Sequence, residues 1–264
     1  MVGRMQALWA YRTFVTSIVV RELRARYMGS LLGGLWALAT PLMLILIYML
    51  VFSEVMRGKV GATGAPLDYG LFLCTGILIW GYFSEVVTNC QTVFLEYSNL
   101  LKKMNFPRIT LPVIVLATAT FNFFLVAILF VVLLLVVGRF PGPAMISFLP
   151  LLTIQQGLAV GLGILLGTLH VFFRDVGQAW TVGLTLWFWL TPIVYHIEII
   201  PEKYRALVAL NPLTPLFVSY QNIVLEAAWP DWQTVLYPAI VAVLILAIGL
   251  GVFLRLSGEM VDEL

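Results

Sequence analysis

Long apolar segments separated by short polar ones run along the whole chain, and the first follows a basic cluster. Arg26 and Glu54 enclose 27 residues without a charged side chain, more than the roughly 20 that a helix needs to cross a hydrocarbon core. Lys and Arg beside a membrane span stay on the cytoplasmic side. The pattern therefore predicts a membrane-spanning helix at about 31–53 and places residues 1–27 in the cytoplasm.

Further apolar segments predict five more spans, at about 69–92, 110–137, 146–170, 177–195 and 234–254. With six spans both termini lie in the cytoplasm, and ten of the 15 basic residues then fall inside against five outside. This bias is the one that cytoplasmic retention of Lys and Arg produces. The predicted fold class is an all-α integral membrane protein in which residues 1–264 form one membrane domain.

Two stretches are too polar or too broken to cross. Over about 5–27, apolar residues recur at helical spacing opposite arginines, which predicts an amphipathic helix in the membrane interface. Its Arg21, Arg24 and Arg26 either only anchor the helix or also meet anionic lipid or a phosphate-bearing substrate. Residues 197–232 hold apolar pieces divided by prolines and amides, which predicts a re-entrant pair of helices before the last span.

Composition agrees with a bilayer environment and excludes several kinds of site. The chain is 61% hydrophobic and 11% charged, with mean hydropathy +1.01, whereas a soluble domain carries about 25% charged residues. No GxxxxGK(S/T) phosphate loop, HExxH or GxSxG motif occurs. Cys74 and Cys90 lie about 24 Å apart along one predicted helix, so they cannot form a disulfide. His170 and His196 lie near opposite membrane faces, so we expect no metal site.

Polar side chains share one face of two predicted spans. In the second span these are Glu85, Asn89, Thr92 and Glu96, and in the fifth they are Gln178, Thr181, Thr185 and Trp189. Helical spacing brings each set onto one side. An ionised group costs roughly 2.5–3.5 kcal/mol near the centre of a span, so Glu85 needs a compensating contact. Two interpretations are equally open, namely hydrogen bonds between helices and the lining of a transport path.

The long cytoplasmic loop at residues 96–113 predicts a short helix at the inner face. Ser98 or Asn99 can cap a helix that runs through Met104, and Pro107 ends it because the residue before a proline is steered out of the helical region. The apolar side chains that we expect to be exposed as a docking surface are Leu100, Leu101, Met104 and Phe106. In the alternative interpretation, the basic residues of the loop serve only to keep it on the cytoplasmic side. These residues are Lys102, Lys103 and Arg108.

Four segments occur in a characteristic order: VRELRARYMGSLLGGLWALATPLMLILIYMLVFS, the inner loop NLLKKMNFPRITLPV, the turn VFFRDV and the segment LNPLTPLFVSYQNIVLE. Together they resemble the permease subunit of type-2 ABC exporters for bacterial polysaccharides. The resemblance implies a homodimer with two copies of a separate ATPase subunit, which would bind ATP and Mg, so this chain would be no enzyme and hold no cofactor. It also implies export of a lipid-linked glycan of the O-antigen, capsule or teichoic acid type across the cytoplasmic (inner) membrane of a bacterium.

The resemblance also assigns roles to residues. Contacts with the ATPase subunit would involve Asn99, Leu100, Leu101, Lys102, Lys103, Met104, Phe106, Pro107 and Arg108 of a coupling helix, with Arg174 and Asp175 at a second inner contact. Residues 198–226 would form gate helices on the outer side. The channel would be lined by Tyr48, Phe52, Trp80, Phe83, Glu85, Asn89, Gln178, Thr181, Thr185 and Trp189. The aromatic members could stack on sugar rings or simply belong to the aromatic belts of a membrane protein.

Two other functions compete with this interpretation. A secondary transporter coupled to protons through Glu85 would carry several buried charges and inverted repeats, whereas only one acidic residue lies well inside a predicted span. An intramembrane transferase or protease would need a cluster of catalytic groups, which the sequence does not offer. An exporter permease is therefore the predicted function, with the glycan and membrane lipid as partners and no nucleic acid.

Overall fold

The computed structural model of the chain describes residues 11–27, 66–103 and 106–263, together with residues 39, 42, 43 and 45–47. All regular secondary structure in these ranges is helical. Most of the predicted first span, with Tyr48 and Phe52, lies outside the described residues, as does Met104.

Ten α-helices make up the described part of the chain. They are α1 (Arg12–Tyr27), α2 (Pro66–Glu96), α3 (Ser98–Lys103), α4 (Thr110–Val137), α5 (Phe148–Phe172), α6 (Asp175–Leu190), α7 (Glu202–Ala209), α8 (Leu213–Glu226), α9 (Trp232–Leu256) and α10 (Met260–Glu263). Short 3₁₀ helices precede α5 (Gly142–Ser147) and α7 (Ile197–Ile199). The predicted interface segment is thus helical from residue 12 onwards, and its place in the membrane interface stays a prediction.

Four helical stretches are long and apolar enough to cross a membrane. They are Leu67–Glu96, Thr110–Val137, Gly142–Phe172 and Trp232–Leu256. Predicted spans two, three, four and six are therefore confirmed as long apolar helices. Of the four, α2 is the most deeply buried within the chain, whereas α4 and α9 turn most of their surface outwards.

The fifth predicted span is shorter than expected. α6 has 16 residues and is about 24 Å long at 1.5 Å per residue, less than a hydrocarbon core of about 30 Å. It ends because Thr191 precedes Pro192 and takes an extended backbone, with φ −99° and ψ 136°. The predicted extent of this span to residue 195 was therefore wrong.

The stretch before the last span forms two short helices, as the broken apolar pattern predicts. α7 has 8 residues and α8 has 14, and the break between them falls at Asn211 and Pro212. At 1.5 Å per residue neither helix is long enough to cross a bilayer. Their re-entrant placement in the membrane stays a prediction.

α2 and α5 form the centre of the bundle, with α4 packed on α2 and α9 packed on α5. Glycines allow the closest approaches. A Cβ atom added at Gly167 of α5 would lie 2.4 Å from the carbonyl oxygen of Cys90, and one added at Gly249 of α9 would lie 2.2 Å from that of Gly161. The small residues of α5 thus permit the close helix contact that their spacing predicts.

Two further observations concern α2, namely an ion pair at its first turn and two cysteines along its length. At its first turn Asp68 forms an ion pair with Arg139, which follows α4, with 3.0 Å between Oδ1 and Nη2. The start of α2 and the end of α4 therefore lie at the same end of the bundle, which agrees with the predicted topology. Cys74 and Cys90 are both buried and free, which confirms that they do not bond to each other.

Candidate coupling and translocation surfaces

The coupling segment, residues 98–103 and 106–108, contains the short helix that its sequence predicts. α3 begins at Ser98, but the predicted apolar docking surface is wrong for two side chains. Leu101 and Phe106 are each only 7% exposed. Leu101 belongs to the hydrophobic core, and the ring of Phe106 packs against Phe14 of α1 with 5.2 Å between centroids.

The exposed part of the coupling segment is polar and basic. Asn99, Lys102 and Lys103 are exposed, whereas Leu100, Pro107 and Arg108 are partly buried. A protein that binds this surface would therefore meet positive charge first. Electrostatic complementarity of this kind mainly sets specificity and the rate of association.

The inner turn, residues 173–175 between α5 and α6, offers a second exposed surface. Phe173, Arg174 and Asp175 are all exposed, and Asp175 occupies the first turn of α6, where the helix dipole favours a negative charge. The short helix α10 packs against both α3 and α5, and its Met260 is fully buried. α10 therefore connects the coupling segment to the helix that leads into the inner turn, a link that the sequence did not reveal.

The polar stripe of α6 faces away from the other described helices. Gln178, Thr181, Thr185 and Trp189 are all exposed, and no residue of α6 is buried. The Thr181 and Thr185 hydroxyls donate to backbone oxygens of the same helix, at 3.1 and 3.0 Å. Within the described chain this stripe therefore does not form hydrogen bonds between helices.

The polar stripe of α2 differs from that of α6, because its Glu85 forms hydrogen bonds with other helices. Its Oε1 atom accepts a hydrogen bond from Arg26 Nη1 of α1 at 2.9 Å and another from Asn122 Nδ2 of α4 at 2.8 Å. The ion pair and the amide together offset the cost of placing a carboxylate within a span. Asn89 and Glu96, further along the stripe, are exposed.

Trp80 and Phe83 lie inside the chain, although both were predicted to line a channel. Phe83 is fully buried and Trp80 nearly so. The ring of Trp80 packs edge-on against Phe188 of α6, and that of Phe83 packs edge-on against Trp187, each with 5.5 Å between centroids. These rings attach α6 to α2. The channel role of Trp80 and Phe83 stays a prediction. Among the predicted channel aromatics that the structure describes, only Trp189 has an open ring, at 60% exposed.

The interface helix α1 carries its arginines on the outside and its apolar residues on the inside. Ile18 is buried, whereas Arg21, Arg24 and Arg26 are exposed. Of these three, Arg26 is the one that pairs with Glu85. A role for Arg21 and Arg24 in contacting lipid or phosphate stays a prediction.

Sequence reasoning missed a second polar contact of α1. The carboxylate of Glu22 accepts hydrogen bonds from the hydroxyl of Tyr97 and from that of Thr118, the latter at 3.0 Å. Burial, together with the adjacent Glu22 carboxylate, raises the pKa of Tyr97 to about 12. The hydrogen bond to Glu22 thus favours the protonated phenol, which is the form that can donate. Glu22 lies next to Arg21 in sequence, and that proximity to a basic cluster concealed its separate role.

After α6, the non-helical residues 191–196 are held by hydrogen bonds from other elements. Gln221 Nε2 of α8 donates to the Pro192 oxygen at 2.9 Å, and the Tyr69 hydroxyl of α2 donates to the Val194 oxygen at 2.9 Å. Asn211 accepts from Trp187 Nε1 at 2.9 Å and donates to the Thr191 hydroxyl at 2.9 Å. The Asn-Pro pair at 211–212 could have suggested a turn residue here, but nothing in the sequence identified its partners.

Comparison with known proteins decides the family. The sequence profile of the ABC-2 type transporter family matches residues 13–225, which include α1 to α8 apart from the first residue of α1 and the last residue of α8. The chain belongs to the ABC-2 type transporter family. It is a permease of the kind found in polysaccharide export systems, and it resides in the inner membrane.

Curated relatives of this ABC-2 permease extend the match to nearly the whole chain. The O-antigen export system permease protein RfbA of Myxococcus xanthus is 34% identical over 255 residues, 96% of each chain. RfbA of Klebsiella pneumoniae is 31% identical over 242 residues, covering 91% of this chain and 90% of its own. The polysialic acid transport protein KpsM of Escherichia coli is 22% identical over 243 residues, 90% of this chain and 92% of its own.

Proposed function

We propose that this permease works as a homodimer with two copies of a separate ATPase subunit and exports a lipid-linked polysaccharide. Membership of the family supports an ABC ATPase partner, and the sequence contains no phosphate loop of its own. ATP and Mg would be bound by that partner. The names of the relatives favour an O-antigen or a polysialic acid, both polysaccharides, as the substrate class.

The observation that carries the proposal is the unburied surface of α6. No residue of this helix is buried, although polar side chains inside a membrane are expected to face protein or water and not lipid. A second copy of the chain would cover part of it. The two copies would then bring Gln178, Thr181 and Thr185 to a shared interior, where hydroxyl and amide groups could meet the hydroxyls of a sugar chain. Trp189 would add an open aromatic face, a surface suited to an apolar sugar face.

The ATPase would engage the coupling segment and the inner turn. The permease residues that are exposed on these two surfaces are Asn99, Lys102, Lys103, Phe173, Arg174 and Asp175. Since the permease has no nucleotide site, only contacts that differ between the states of the partner can drive it. On the same inner side, exposed Arg21 and Arg24 would attract anionic lipid or the phosphate of the substrate carrier.

A coupled transporter that uses protons at Glu85 is less favoured by this geometry. The carboxylate already has a cationic partner and an amide donor, which explains its presence without a transport role. Homology to ABC-2 permeases points in the same direction.

Co-purification and crosslinking test the proposal together. Affinity purification from the native membrane should recover a second chain with a phosphate loop in equal amount. A Thr185→Cys variant should crosslink to a second copy of itself, whereas the control Val136→Cys, on the outward surface of α4, should not. Recovery of the permease alone, with equal crosslinking at both positions, would reject both the ATPase partner and the homodimer.

A further inference from the structure

Two polar contacts hold α1 to the spans, and they are spaced one helical turn apart. Glu22 accepts from Thr118 of α4 as well as from Tyr97. Arg26 donates to Glu85, which also accepts from Asn122 of α4. Glu22 and Arg26 are four residues apart on α1, as Thr118 and Asn122 are on α4, so the two contacts align in register. We call this arrangement the two-point lock.

The other half of α1 touches the coupling segment. Phe14 packs on Phe106, with 5.2 Å between ring centroids, and Ile18 is buried between the two ends. Phe14 and Arg26 lie 12 residues apart, about 18 Å along a helix. α1 thus reaches from the cytoplasmic coupling segment to the level of Glu85 within α2.

An apolar contact alone would allow α1 to slide, because the hydrophobic effect has no direction. The lock removes this freedom, since hydrogen bonds and ion pairs require a definite geometry. Releasing α1 would also leave the Glu85 carboxylate within the span without the cation that the described residues bring to it. Separating α1 from α2 and α4 would therefore break the hydrogen bonds and the ion pair of the lock.

We propose that Glu22 and Arg26 are positioning residues that make α1 a rigid link between the coupling segment and the middle of α2 and α4. A displacement of Phe106 by the ATPase would then be carried along α1 to Glu85 and Asn122. This inference rests on the proposed function, because it requires a partner that moves the coupling segment. The link is physical, formed by packed and hydrogen-bonded side chains in contact.

Charge reversal and its repair test the lock in the complete complex with the ATPase, reconstituted in vesicles. Arg26→Glu and Glu85→Arg should each retain the ATPase and its hydrolysis of ATP but lower export at least about fivefold, the lower end of typical coupling between sites. The double variant should restore export, because the ion pair is formed again with its charges exchanged. Arg255→Glu is the matched control, since Arg255 of α9 is also exposed and forms no ion pair within the described residues.

A distance measurement distinguishes a positioning role of Glu22 and Arg26 from a general loss of folded structure in the variants. Spin labels at Thr16 of α1 and Ala117 of α4, both exposed, should give a narrow distance distribution in the wild type and a broad one in each single reversal. Glu22→Ala should broaden it as well, while Glu22→Gln, whose amide oxygen can still accept, should broaden it less. These two variants keep the test valid if charge reversal prevents folding.

The outcomes distinguish the two proposals. If the wild-type complex shows no ATPase partner or no export, the proposed function fails. If the ATPase binds and export occurs, but the reversals export at the wild-type rate, the lock is refuted. It is also refuted if the double variant gains nothing over either single reversal, or if Arg255→Glu loses as much export as Arg26→Glu.

Discussion

α2 and α6 are both apolar helices that carry a row of polar side chains, yet one is enclosed by its own chain and the other is not. On α2, Glu85 receives donors from two other helices, and Phe83, two residues earlier, is fully buried. On α6, the threonine hydroxyls donate to their own backbone, and nothing is buried. A charged group in a span requires partners from elsewhere in the fold, whereas hydroxyls satisfied within one helix leave its surface free for a second chain or for a substrate.

The largest expected difference between the two helices concerns aromatic side chains. Phe83→Ala should destabilise the fold by about 3–5 kcal/mol, because it removes a fully buried ring. Trp189→Ala should cost less than about 1 kcal/mol, since its ring is 60% exposed, but it should lower export. Thermal unfolding in detergent and a transport assay would check both. Equal destabilisation by the two substitutions would contradict the contrast between enclosed and open helices.

Glycine-to-alanine substitutions, which add one methyl group, test the same contrast between the enclosed α2 and the open α6. Gly167→Ala should destabilise by about 1–3 kcal/mol, because the new Cβ would lie 2.4 Å from the Cys90 oxygen of α2. At Gly183 of α6 nothing lies within 4 Å of an added Cβ, so Gly183→Ala should be neutral or stabilising by up to about 1 kcal/mol through helix propensity. Unfolding midpoints of the purified variants measure this. A destabilised Gly183→Ala would show that α6 is covered in the single chain.

Chemical labelling tests what faces α6. If the stripe borders a water-filled path, Thr185→Cys should react with a hydrophilic maleimide in membranes. Val136→Cys, on the outward surface of α4, should react with a lipid-phase reagent instead. Preferential lipid-phase labelling at Thr185 would assign the stripe to the lipid boundary.

The smallest effect is expected from Glu85→Gln. The amide oxygen of glutamine can still accept from Arg26 and Asn122, so export should fall by no more than about twofold, a loss of roughly 0.4 kcal/mol in activation free energy. Export should also persist when the proton gradient is collapsed. Abolished export under either condition would revive the proton-coupled alternative.

Sequence patterns predicted most of the fold, because long apolar runs and prolines act locally. Four spans, the short inner helix and the break at Asn211 all depend on neighbours in the sequence. Local pattern cannot reveal which distant element covers a side chain, and the errors follow from that. Phe106 is covered by Phe14 of α1, and α10 packs on the helix that contains Leu101, so both residues appeared free in the sequence.

The candidate site was less predictable than the fold for the same reason. The shared face of the α6 stripe follows from helical spacing, and its exposure agrees with a transport path. The need of Glu85 for a compensating contact was also foreseeable from its cost in a span. Its actual partners, Arg26 and Asn122, come from helices on both sides in the sequence, and no periodicity connects them.

The contact of α10 with α3 has a consequence for the order in which the protein is made. α10 is translated after every other described helix and more than 150 residues after α3, about 8–30 s later at typical rates of synthesis. During that interval α3 has not yet gained the packing that α10 provides. A nascent permease would thus present an unfinished coupling surface to the ATPase, and productive engagement would be delayed until the membrane domain is complete.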